Sequence, residues 1–286
     1  MKKIALSAII AGALLLIFSG CIADFIPDDN DVEETGKLNV YMTDAVLPLD
    51  DVKSVEVTID SISLYGGEAS PVVITEEPTT VDLMALMGEE INLGTVEGTA
   101  TYNQLRMEIS DATLTTMEDE IYEVKVSSGS LKISNLDIEF DDEEETTLML
   151  DFDLSKSLII TGPWPPKDIP KEPQIIMTPT IGVRHGELYD VTGVATPTME
   201  ASPYLVALIS EDATNVLTTF THKENPKWEQ GEFRFCKIEE GEYTLKIFDN
   251  YTEEGFDPLT SDPLYTHPGE IEVEDGDVDL GTIVVE

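Results

Sequence analysis

Apolar residues recur at every second position through much of this chain. Leu38, Val40 and Met42 alternate with polar neighbours, and Val55, Val57 and Ile59 repeat the pattern. A two-residue period sends successive side chains to opposite faces of an extended strand, so the chain is constrained to build sheets with one buried face. After Ile59 the phase flips, because Ile62 and Leu64 are the next apolar residues; a bulge or bend near Asp60–Ser61 accounts for this. Tyr65-Gly66-Gly67 reads as a turn and 72–74 as a short strand. Further strands are predicted at 102–109, 121–126, 131–133, 136–140 and 147–154. In the last of these Leu148, Leu150, Phe152 and Leu154 share one face, and Met149, Asp151 and Asp153 the other. The one helical candidate is 81–87, with Thr80 as its cap, Gly88 as its stop and its methionines as core filler. Residues 162–173 hold too many prolines for a regular strand and read as an exposed loop before the pattern resumes at 175–183. From 187 onward seven short strands fall within about 100 residues, the spacing of a β-sandwich. The expected fold is all-β: two β-sandwich domains in tandem, at 37–185 and 187–286, with one short helix in the first.

The chain carries 58 acidic and 16 basic residues, a formal net charge of −42. Such a surface repels polyanions, which excludes nucleic acid as a partner. The acids are spread along the sequence, a distribution that suits solubility and tolerance of salt; divalent cation binding is the alternative. A hydrophobic content of 41% with strong local patterning excludes general disorder.

Met1-Lys2-Lys3 is followed by an apolar run from Ile4 to Phe18 and then by Ser19-Gly20-Cys21. A charged start, a short apolar run and small residues before a cysteine have the form of a lipoprotein signal, 1–20, with lipid on Cys21. An uncleaved anchor helix and a plain secretory signal are the alternatives. Residues 21–36, with Asp28-Asp29-Asn30-Asp31 and Glu33-Glu34, then read as an acidic tether. The expected location is extracytoplasmic, with membrane lipid as partner through Cys21. The only other cysteine is Cys236, in a strand-like stretch, and it reads as a small buried thiol.

Candidate chemistry rests on carboxylates. Asp44, Asp151 and Asp153 could supply oxygens to a hard cation such as calcium, the one cofactor the sequence suggests; a solvated acidic face is the alternative reading. Asp141-Asp142-Glu143-Glu144-Glu145 lacks the central glycine of a calcium loop. Asp151 and Asp153 could also act as the acid and base of a glycosidase-type hydrolase, if a cleft held them about 5–5.5 Å or about 6.5–9.5 Å apart. His185, His222 and His267 are scattered without metal spacing, and no nucleophile elbow, phosphate loop or dinucleotide fingerprint occurs. Trp164, set between Pro163 and Pro165, is a candidate to stack on a sugar or anchor a protein; packing over the end of the first sandwich is the alternative. Asn250-Tyr251-Thr252 fits a glycosylation sequon.

Two resemblances follow from longer stretches. Thr43-Asp44-Ala45, Val55-Glu56-Val57-Thr58-Ile59, Tyr102-Asn103-Gln104-Leu105-Arg106 and Leu150-Asp151-Phe152-Asp153-Leu154-Ser155-Lys156, with Pro179-Thr180-Ile181, resemble the domain-of-unknown-function 4382 family over 37–183. That resemblance implies an extracytoplasmic, mostly β domain and supplies no activity. Val191-Thr192-Gly193-Val194-Ala195, Gly231-Glu232-Phe233-Arg234-Phe235, Gly241-Glu242-Tyr243-Thr244-Leu245 and Val278-Asp279-Leu280-Gly281-Thr282 are similar to carboxypeptidase-regulatory-like domains, which have a transthyretin-like sandwich. It implies a noncatalytic module for stability, adhesion or glycan contact. Tyr243 is placed to send its hydroxyl back to backbone at a sandwich corner. The sequence expectation is a lipid-anchored, acidic, noncatalytic envelope protein that binds or scaffolds a surface glycan or an envelope protein. A calcium-stabilised adhesion or assembly protein and an envelope hydrolase are the alternatives.

Overall fold

The alternating segments form twenty strands in a computed structural model that describes residues 36–44, 51–66, 70–98, 100–140, 145–164, 173–196, 203–253 and 255–285. The first twelve are β1 (Gly36–Asp44), β2 (Val52–Tyr65), β3 (Val72–Thr75), β4 (Thr79–Asp82), β5 (Ile91–Gly98), β6 (Tyr102–Thr116), β7 (Ile121–Val126), β8 (Ser130–Ile138), β9 (Glu145–Phe152), β10 (Leu158–Thr161), β11 (Gln174–Met177) and β12 (Ile181–Gly186). The remaining eight are β13 (Leu188–Thr196), β14 (Leu205–Ser210), β15 (Val216–Phe220), β16 (Glu232–Glu239), β17 (Gly241–Phe248), β18 (Tyr265–Thr266), β19 (Ile271–Val273) and β20 (Val278–Val284). Helix α1 is the single turn Leu154–Ser157. Among the described residues no helix is long and apolar enough to cross a membrane.

The fold is nearly all β, two sandwiches in tandem. In the first, a sheet of order β12-β9-β1-β5 faces one of order β10-β11-β7-β6-β2-β3, with β4 also on β2 and β8 on β6. Leu38, Val40 and Met42 of β1 and Leu148, Leu150 and Phe152 of β9 turn inward to one core with Val55, Val57 and Ile59 of β2. In the second, β16-β13-β20 faces β15-β14-β17-β18, with β19 on β17. Phe233 and Phe235 of β16 and Tyr243, Leu245 and Ile247 of β17 meet in its core, as their alternation predicts.

The phase flip in β2 is a bulge. Register with β6 breaks on either side of Ile59, and Ser110 Oγ donates to Asp60 Oδ1 at 2.8 Å. The expected helix at 81–87 is not α-helical. Thr79–Asp82 pairs with β2 as β4, and only a 3₁₀ turn, Leu83–Leu86, remains. Asp82, not Thr80, caps that turn, accepting from Met84 N and also from Val55 N. The β-branched run of Thr79, Thr80 and Val81 suits the pleat better than a helix. The segments expected as two strands at 131–133 and 136–140 are one strand, β8, interrupted by Asn135 at φ +65°. The acidic tether was expected to reach residue 36, but Gly36 already pairs with Gly98 in the sheet; Cys21 lies outside the described residues.

Candidate functional site in the cleft between the sandwiches

Strand β9 ends two residues earlier than its alternation suggests. Asp153 takes the N-cap position of α1: its Oδ1 accepts from Lys156 N at 3.0 Å and Ser155 Oγ at 2.6 Å, and its Oδ2 pairs with Lys156 Nζ at 2.7 Å. A short carboxylate side chain satisfies orphan N–H groups at a helix start, and that local gain overrides the strand pattern. Asp151 stays on β9, on the face opposite Leu150 and Phe152. The two carboxylates therefore do not stand side by side on one strand face.

Asp151 is held by Arg184 of β12, whose Nη1 donates to Oδ2 at 2.7 Å; both side chains are almost buried. Arg184 then crosses to the second sandwich, with Nε 2.9 Å from Lys237 O and Nη2 3.3 Å from Cys236 O. Those carbonyls are free because β16 bulges there: its register with β13 breaks at Asp190, and Lys237 sits at φ +54°. Asp190 fills the bulge, accepting from Lys237 N at 3.0 Å and from Arg234 Nε at 3.0 Å. Burial alone would raise the Asp190 pKa, but the Lys237 N–H and the Arg234 guanidinium outweigh it and hold the carboxyl below its ordinary range. Cys236 beside them is buried, and desolvation pushes its thiol up to about 12, which suits a structural rather than a reactive cysteine.

A second connection runs from the turn after Leu86. Thr43 Oγ1 donates to Glu89 O at 2.8 Å and pins this turn to β1. Met87 packs into an apolar cluster of the second sandwich formed by Leu205, Ala207, Phe220 and Phe248. Glu89 accepts from Trp228 Nε1 at 3.0 Å and pairs with Lys227; Glu90 pairs with Arg234 at 3.3 Å and Lys237 at 3.7 Å. Gly88, at φ +65°, lies against His222, which stacks on Trp228 with ring centroids 3.9 Å apart. Four of the 16 basic residues, Arg184, Lys227, Arg234 and Lys237, thus serve contacts between the sandwiches.

Beside this junction lies a cleft of about 500 Å³, within the usual size range of ligand sites. Asp151, Asp153, Lys156, Gly182 and Arg184 line it from the first sandwich, and Thr214, Asn215, Leu217, Glu239 and Tyr243 from the second. Tyr243 donates its hydroxyl to Glu239 O at 2.8 Å, the corner bond its position predicts. One oxygen of Asp151, Oδ1, is buried without a hydrogen-bond partner.

The other expected site residues do not line this cleft. Asp44, 3% exposed, turns toward the first core, where its Oδ1 accepts from Leu154 N at 3.1 Å and its Oδ2 has no partner. Burial raises its pKa well above the ordinary carboxylate range; the Leu154 N–H opposes this, and the charges of Asp151, Asp153 and Asp82 add to it. Among the described residues no three His, Cys, Asp or Glu side chains gather as a metal site. Trp164 is half-buried, edge-on to Tyr122 with centroids 6.2 Å apart. Asn250 donates Nδ2 to Asp262 O at 3.5 Å, and its Oδ1 is buried.

Residues 35–164 match the family described as Domain of unknown function (DUF4382). The match covers the first sandwich as far as Trp164, and its description names no activity. No curated protein matches the sequence. Among solved structures the chain is similar to BcpA, the major pilin subunit of Bacillus cereus, at 10% identity over 88% of this chain and 70% of that one, with a TM-score of 0.24. It is also similar to a double mutant of the shaft pilin SpaA from Lactobacillus rhamnosus GG, at 9% identity over 88% and 98% with a TM-score of 0.22. A Streptococcal ancillary pilin matches at 11% identity over 87% and 62% with a TM-score of 0.19. TM-scores this low carry no argument about function.

Sequence reading missed Arg184, Gly182 and the Met87–Glu90 turn. One signal was available: a glycine inside a strand pattern marks a place where something approaches closely, and Gly182 is such a glycine.

Proposed function

We propose that this chain is a noncatalytic binding or scaffolding protein of the cell envelope, anchored by lipid on Cys21, with the cleft between its sandwiches as the ligand site. The observation that carries the reading is the pairing of both cleft carboxylates with bases, Asp151 with Arg184 and Asp153 with Lys156. A carboxylate whose oxygens are engaged by a cation is poorly placed to hand a proton to a leaving group, and a hydrolase needs one of its pair to do so. The same pairs fix the cleft walls in place, which serves recognition. The ligand class is a surface glycan or an envelope protein.

The test is an array of glycans and peptides probed with the full chain, with Gly182→Val in the cleft and with Trp164→Ala outside it. Binding that Gly182→Val removes at an unchanged melting temperature, with no turnover of the bound ligand, supports the reading. Binding lost only in Trp164→Ala moves the site to the loop, and turnover abolished by Asp151→Asn overturns the noncatalytic assignment.

A further inference from the structure

The strand edges that border the cleft differ from the other long edges of the fold. Six described strands of five or more residues lie at a sheet edge: β5, β8, β12, β15, β16 and β20. Four of them are interrupted. Register breaks occur where β5 meets β1, β8 meets β6, β16 meets β13 and β20 meets β13. Such breaks twist an edge and spoil it as a template for another strand. Only β12 and β15 keep an unbroken register, over Ile181–Gly186 and over Leu205–Ile209 against Val216–Phe220. Neither contains proline or lysine, the residues that commonly guard an edge. Both border the same cleft: Ile181 to Arg184 on one side, Val216 and Leu217 on the other.

An antiparallel edge strand pairs only half of its backbone groups with its neighbour, and the other half point away. At β12 and β15 these groups belong to regular strands with no further strand hydrogen-bonded to them among the described residues. The one arginine on β12, Arg184, does not guard the edge, because its guanidinium is spent on Asp151 and on the carbonyls of Cys236 and Lys237. Gly182 is exposed and is the cross-strand partner of Asp151, so that position of the wall carries no side chain. The charge of the occupant follows from the chain's net −42 and from the cleft wall, where Arg184 and Lys156 offset Asp151 and Asp153 while Glu239 and the unpartnered Asp151 Oδ1 remain to accept from a base.

We infer that the cleft takes an extended basic peptide, which adds as a strand to the free edge of β12. Backbone hydrogen bonds supply affinity in this mode, and alternate side chains supply selectivity. The four β12 residues along the cleft span about 13 Å, enough for four or five peptide residues. The inference rests on the cleft being the binding site and names the class of protein ligand it accepts.

The experiment measures fluorescence anisotropy of labelled eight-residue peptides against the full chain: alternating lysine and valine, alternating glutamate and valine, and the lysine peptide N-methylated at every residue. The lysine peptide is expected to bind at least tenfold more tightly than either control. Gly182→Val is expected to abolish that binding at an unchanged melting temperature, since a Cβ at 182 would lie 3.6 Å from Asp151 Cβ, an ordinary contact the fold can hold. Equal binding of the N-methylated peptide removes the strand pairing. Binding unaffected by Gly182→Val is attraction to the acidic surface and overturns the proposal, as does no binding of the lysine peptide. In that last case a glycan lost in Gly182→Val leaves the cleft as a site for another ligand, whereas no cleft-dependent ligand of any kind removes both readings. Should Gly182→Val fail to fold, the N-methylated peptide alone decides.

Discussion

Arg184 donates its Nε–H to the carbonyl of Lys237 at 2.9 Å, so a strand of the first sandwich holds open a bulge of the second. The same guanidinium carries the ion pair to Asp151. Removing it leaves a nearly buried carboxylate and two bulge carbonyls without partners. Arg184→Ala is expected to destabilise the protein by about 3 kcal/mol, the range for breaking a buried pair from one side. Urea unfolding of Arg184→Ala, Asp151→Ala and the double variant checks this. A coupling energy near zero would mean that the pair does not act as a unit.

Gly88 of the first sandwich lies against His222 of the second. A Cβ on Gly88 would lie 2.9 Å from His222 Nε2, and the backbone there is left-handed at φ +65°. Gly88→Ala is expected to cost about 1–2 kcal/mol, from the unfavourable backbone and the displaced imidazole. Thermal unfolding of Gly88→Ala in the His222→Ala background separates the two, because only the backbone cost should persist there.

Calcium is expected to raise the melting temperature no more than sodium chloride at matched ionic strength. Asp151 and Asp153 are each engaged by a base, and Asp44 turns to the core instead of joining them. Recruiting them to a cation would require breaking Arg184 and Lys156 away. A calcium-specific shift in scanning calorimetry, reversed by chelator, would return the protein to the class of cation-stabilised adhesins.

Local signals made much of the fold readable. The phase flip located the Asp60 bulge, strand β7 falls on its expected residues, and Tyr243 forms its expected corner bond. Where two local preferences competed, reading by period failed. Asp153 belongs by alternation to β9 but caps α1, and Thr79–Asp82 joins β2 instead of opening a helix. The cleft was the least legible part, because it is assembled from distant pairings. β9 lies parallel to β1 more than a hundred residues away, and Arg184 reaches a bulge fifty-odd residues on. No local pattern encodes such partners. The Met87–Glu90 turn was obscured for the same reason: Met87 fills its own core as expected and packs against the other one as well.

Replacing Cys21 with serine tests the proposed anchor. In the proposed anchor the lipid would be attached through the cysteine sulfur, so Cys21→Ser is expected to remain an unprocessed precursor or to leave the membrane fraction. Mass spectrometry of the native chain should find its N-terminus at Cys21 with acyl chains attached. A mature, lipid-modified product from Cys21→Ser would refute the assignment.

Asp44, which is buried, and His222, which is partly buried, give stability opposite dependences on pH. Desolvation lowers the pKa of His222 from its usual 6.5, against the raising effects of Glu89 and Glu232 and with a small further push from Lys227. Its contribution is therefore present above pH 6.5 and lost as pH falls through the depressed folded value. Asp44 runs the other way. Its folded pKa lies well above the ordinary 3.8, so its contribution is complete below 3.8 and lost as pH rises through the folded value. Asp44→Asn keeps an acceptor for Leu154 N and removes the titration, so its melting temperature is expected to gain on the parent as pH increases. His222→Gln should lose less than the parent on the acid side. Melting curves from about pH 4 to 8 for the parent and both variants check the signs. Parallel curves for Asp44→Asn and the parent would show that the buried carboxyl does not titrate within that range.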